Sequence, residues 1–89
     1  MEIKITGLTC VQDPKPNRGG DTILAFFDCR IEWLTMEGAA LVRQGSNGKL
    51  TTWEPLARED RPNRRCMQLD GEVRWAVADA ALPVYEQFA

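Results

Sequence analysis

The stretch Thr22-Ile23-Leu24-Ala25-Phe26-Phe27-Asp28-Cys29-Arg30-Ile31-Glu32-Trp33-Leu34 decides the fold. Its odd positions Ile23, Ala25, Phe27, Cys29, Ile31 and Trp33 are all apolar, and the charged Asp28, Arg30 and Glu32 fall between them. Successive side chains on a strand point to opposite faces, so this period of two predicts a strand with one buried face. Leu24 and Phe26 break the polar side of the pattern. A strand apolar on both faces is usually covered on both, which predicts the helix on one side and a partner, most simply a second copy of the chain, on the other. Cys29 sits inside the stripe and reads as a small core residue.

Upstream, Glu2-Ile3-Lys4-Ile5-Thr6-Gly7-Leu8-Thr9-Cys10-Val11-Gln12 starts with the same alternation and predicts a first strand, with Gly7 as a bulge. Asp13-Pro14-Lys15-Pro16-Asn17-Arg18-Gly19-Gly20 is a run of turn formers and predicts a long, mobile hairpin connection. Downstream, Gly38 and then Gly45-Ser46-Asn47-Gly48 bracket residues 39–44. Asn-Gly supplies the positive φ angles of a tight turn, and Lys49 to Trp53 has strand composition, so a hairpin of two short strands is expected, ending at Pro55. A charged loop over 56–65 follows, and Cys66-Met67-Gln68-Leu69 is a candidate extra strand.

Asp70 has the character of a helix N-cap, with Glu72 in the first turn where the helix dipole favours an acid. From there Val73, Val77, Ala80, Val84 and Phe88 step at helical spacing and predict the face that lies on the sheet. Pro83 interrupts the run and predicts a kink or two abutting helices. The fold class expected is therefore α+β: a four-stranded, or slightly larger, antiparallel sheet followed by a C-terminal helical segment kinked near Pro83.

The 89 residues suit one domain spanning 1–89, with 44% apolar and 27% charged residues. No histidine is present, which removes Ser–His and Cys–His nucleophiles and histidine-containing zinc sites. Cys10, Cys29 and Cys66 form no Cys-x-x-Cys pair and are odd in number, so neither a zinc ribbon nor a disulfide scaffold is expected. Without a glycine-rich phosphate loop either, no enzyme activity, catalytic residue, metal or cofactor is expected. No apolar run is long enough for a membrane span and no signal pattern opens the chain, which predicts a soluble cytoplasmic protein without membrane partners.

The net charge is −2, yet Arg58, Arg61, Arg64 and Arg65 fall within eight residues that hold only two acids, Glu59 and Asp60. A local basic loop on a mildly acidic body can hold a phosphate backbone, and arginine does so with planar, bidentate geometry. The bland alternative is a solvated loop whose arginines pair with neighbouring acids. Trp53 and Trp75 flank the loop and are expected to pack in the sheet and helix core. A second class of function is a homodimeric protein-interaction or inhibitor module of phage or mobile-element type. It rests on the two-faced apolar strand together with Trp33, Met36 and Trp53.

The order of these blocks resembles the stage V sporulation protein G (SpoVG) family of small bacterial regulators. The matching pieces are Leu24-Ala25-Phe26-Phe27-Asp28, the Gly38 to Leu41 hairpin leading to Asn47-Gly48, Pro55 with the arginine-rich loop after it, and Ala81-Leu82-Pro83-Val84-Tyr85 near the end of the helix. The resemblance implies a homodimeric, non-catalytic nucleic-acid-binding regulator. Its DNA-contacting stretch maps here onto Arg58, Arg61, Arg64 and Arg65. The Pro/Gly loop at 13–20 and a less basic body are departures from that pattern.

Overall fold

In the computed structural model, residues 1–55 and 67–89 are described. They form strands β1 (Ile3–Cys10), β2 (Thr22–Ile31), β3 (Leu34–Arg43) and β4 (Leu50–Trp53), then one helix, α1 (Gly71–Phe88). The strands make a single antiparallel meander in the order β1-β2-β3-β4. The expected α+β architecture is what the chain adopts. Met67, Gln68 and Leu69 join no strand, so the sheet stops at four among the described residues.

Strand boundaries differ from expectation in two places. The stripe through Trp33 is not one strand, because the chain reverses at Glu32-Trp33 and pairs Ile31 with Leu34. Glu32 adopts a φ of +56°, which lets a two-residue turn close without glycine. Trp33 therefore stands at a hairpin tip, 87% exposed, and has left the buried stripe. Gly38, expected to end a segment, instead lies inside β3 with φ +79°, where the β2–β3 register shifts. Its N–H donates to Asp28 Oδ1 at 2.9 Å. A glycine in a strand here marks a bulge rather than a break. The Gly7 bulge does form, between Ile5 and Gly7 on β1.

The core lies between the sheet and α1. Ala25, Phe27, Cys29 and Ile31 of β2 meet Met36, Ala39 and Leu41 of β3 and Val77, Ala78 and Ala81 of the helix. Ile3, Ile5, Leu8, Val73 and Tyr85 close its margins. Cys29 is fully buried as expected, and its burial, followed by the charge of Asp28, pushes the thiol up to about 11. That makes it an inert core thiol at neutral pH. The helical stripe is as expected at Val73 and Val77 and turns away from it beyond them. Ala81 and Tyr85 face the core, Ala80 and Val84 are half-buried, and Phe88 is 67% exposed.

Pro83 sits within one continuous helix, which replaces the expectation of two abutting ones. Its missing N–H leaves the Asp79 carbonyl without a helical donor, on a side of α1 where both residues are exposed and water can serve. Asp70 does occupy the N-cap, in extended conformation, but its side chain makes no capping bond.

The β1–β2 connection is held down at several points. Asn17 Oδ1 accepts the N–H groups of Gly19 and Asp21 at 2.9 and 3.0 Å, and Asp21 Oδ1 accepts Gly45 N–H at 2.9 Å. At that last contact the two backbones touch. A Cβ on Gly45 would lie 2.4 Å from the Gly20 carbonyl oxygen. The loop expected to be mobile is thereby tied to the β3–β4 turn.

Candidate nucleic-acid interface

Arg58, Arg61, Arg64 and Arg65, together with Cys66, lie outside the described residues. The chain on either side of them is defined, and a buried carboxylate ties its two ends together. Glu54 follows β4 directly and is 3% exposed. Its Oε2 accepts Leu69 N–H at 2.8 Å and the Arg74 Nε and Nη2 groups at 3.1 and 2.7 Å. Next to it, Thr52 Oγ1 donates to the Arg74 carbonyl at 3.0 Å. β4 thus holds the start of α1 through both side chain and backbone.

The electrostatics at Glu54 are a contest that the pairing wins. Burial alone would raise its carboxyl, but the Arg74 and Leu69 hydrogen bonds, with the guanidinium charge behind them, hold it below the usual carboxylate range. A buried acid that has lost its water must find such partners. Arg74 is the only base on α1, so the helix carries no basic residue toward its outer face. That outer face presents Glu72, Asp79 and Glu86 with Trp75, which is 58% exposed and not in the core as expected. Trp53 is half-buried at the end of β4.

The opposite end of the sheet carries a different arrangement. The β1–β2 register places Lys4 directly across from Arg30, with Ile5 and Cys29 alternating to the core side. Lys4 and Arg30 therefore share the face away from the helix. With Glu2, Glu32 and Trp33 they line a groove of about 340 Å³. Arg30 Nε donates to the Glu32 carbonyl at 3.0 Å, which fixes the arginine over the hairpin turn. Among the described residues no ion pair engages Lys4, Arg30, Glu2 or Glu32. A smaller cleft of about 180 Å³ lies further along the same face, between Gly7, Asp28 and Gly38, beside Phe26.

Strand β2 is less two-faced than its sequence. An extra residue at Leu24 shifts the β2–β3 register, and Leu24 is buried at 2% exposure. Phe26 alone of the pair stays open, at 47%. Ala40, Val42 and Thr51 are also buried outside the main core cluster.

Among the described residues no group of three or more His, Cys, Asp or Glu could hold a metal ion, and no helix is long and apolar enough to cross a membrane. Comparisons with protein-family models, curated proteins and solved structures return no match to this chain. The resemblance to the SpoVG family therefore rests on its residue blocks alone. The groove at the β2–β3 tip was missed in the sequence because Trp33 continues the apolar alternation. Only the reversal at Glu32 turns it out to solvent, and only the β1–β2 register puts Lys4 beside Arg30.

Proposed function

We propose that the chain is a small, non-enzymatic DNA- or RNA-binding regulator that contacts phosphates through Arg58, Arg61, Arg64 and Arg65. The observation that carries this reading is the placing of four of the eight arginines in one short segment between two tied anchors. Glu54 binds both Arg74 and the Leu69 N–H, so the start of the helix is held to the end of β4. About four phosphate contacts give weak, salt-dependent binding, which a homodimer would double.

The test is a gel shift against mixed DNA and RNA fragments at two salt concentrations. Arg64→Glu with Arg65→Glu abolishes the shift and leaves the thermal midpoint within a few degrees. Binding that survives the double reversal moves the site elsewhere, and unfolding makes these arginines structural.

A second reading, a homodimeric protein-interaction or inhibitor module, draws support from the exposed Phe26, Trp75 and Phe88. Light scattering separates it: a dimer that elutes from a heparin column without regard to salt favours this module over the regulator.

A further inference from the structure

The β2–β3 hairpin ends in an aromatic ring that the fold does not use. Trp33 is 87% exposed at a turn, where it packs into no part of the core. Beside it Lys4 and Arg30 stand directly opposite each other across β1 and β2. Like charges in that position oppose strand pairing, and no carboxylate forms an ion pair with either among the described residues. The groove they share, about 340 Å³, is at the low end of ligand-pocket volumes and is completed by Glu2 and Glu32.

Three chemistries therefore meet in one place: a flat π surface, two cations and two carboxylates. A nucleotide with an unpaired base offers the complement of all three. Its ring stacks, its phosphate is anionic, and its Watson–Crick edge carries N–H donors that a carboxylate accepts. An acidic peptide would be opposed by the glutamates, and a basic one by Lys4 and Arg30. A duplex buries its ring faces and its pairing edges. Phe26, four residues from Arg30 on the same face of β2 and so about 13 Å away, offers a second ring to the same strand.

We infer that the hairpin-tip groove holds an unpaired nucleotide of a single-stranded nucleic acid, its base on Trp33, its amino edge toward Glu32 or Glu2 and its phosphate on Lys4 and Arg30. The inference rests on the nucleic-acid reading above but uses residues other than the arginines of 58–65.

Fluorescence anisotropy tests it, with a labelled single strand of about twelve nucleotides, its blunt duplex and the free mononucleotide as competitor, at about 50 and 200 mM salt. The single strand is bound in preference to the duplex. Trp33→Ala weakens it about tenfold or more, as loss of one stacked base does. Lys4→Ala with Arg30→Ala flattens the salt slope by about 0.7, the value for one lost single-strand phosphate contact. Each variant keeps its thermal midpoint within a few degrees.

Unchanged binding in both groove variants, with loss on Arg64→Glu and Arg65→Glu, overturns the groove and leaves the arginine loop standing. Loss in the groove variants alone supports the groove and overturns the loop. Wild-type protein that binds no nucleic acid overturns both. A mononucleotide bound as tightly as the strand overturns the strand as occupant.

Discussion

The two ends of this sheet hold the same kinds of residue and treat them in opposite ways. At the corner where β4 meets α1, one acid and one base are bonded at 2.7 Å, with the acid buried. At the β2–β3 tip, two bases and two acids line a groove without an ion pair among them. A buried charge must be paired for the chain to fold, whereas an exposed charge contributes little to stability whether paired or not. Charge at the first end is thus a structural element. At the second it is available to a ligand.

The sharpest way to break that contrast is Glu54→Ala. It leaves Arg74 and the Leu69 N–H without their acceptor and costs about 2–3 kcal/mol, less than a fully buried pair because the Arg74 side chain is partly exposed. The thermal midpoint falls by roughly 10–20 °C. The same pair sets an acid limit. Glu54 titrates lower folded than unfolded, so its stabilisation is present above the ordinary glutamate range and is lost as pH falls through the lowered folded value. Thermal melts between neutral and acid pH show a shallower loss in Glu54→Ala than in wild type. Parallel pH profiles would mean the carboxylate is not bonded.

Gly45→Ala asks whether backbone contact matters as much as charge. The new methyl meets the Gly20 carbonyl at 2.4 Å, so the β1–β2 connection must move away from the β3–β4 turn. The expected cost is about 1–3 kcal/mol by chemical denaturation. Gly71 has open space at its Cβ position and no positive φ, and is the natural control.

The smallest effect sharpens the contrast within the first corner. Asp70 lies at the N-cap, next in the chain to Leu69 whose N–H Glu54 accepts, yet its carboxylate bonds nothing in the cap. Asp70→Ala and Asp70→Asn therefore each cost about 0.5 kcal/mol, the dipole contribution alone. A thermal loss of 1 kcal/mol or more for Ala, with Asn close to wild type, would show a side-chain cap bond and weaken the case that Glu54 anchors the helix.

Much of the architecture is legible in the sequence. Alternation over 22–31, the Asn47-Gly48 turn, the Gly7 bulge and the cap position of Asp70 all act over a few residues, which sequence patterns record. The candidate sites were legible only in part. The arginine cluster is a matter of composition, while the tip groove depends on which residue of β1 faces which residue of β2.

Side-chain period and turn chemistry are local properties of the chain, and they are enough to set the order of elements, the α+β class and the burial of Cys29. The remaining features arise from long-range contacts. The reversal at Glu32 needs a φ of +56° that no glycine announces, and it is stabilised by pairing Ile31 with Leu34. Leu24 is buried where the β2–β3 register slips, and the helix turns Ala81 and Tyr85 inward where spacing favoured Ala80 and Val84. Glu54 reads as one more surface acid until β4 and α1 bring Arg74 and Leu69 to the same oxygen. Register, packing and buried pairing join residues distant in the chain, and their energies exist only once those residues meet.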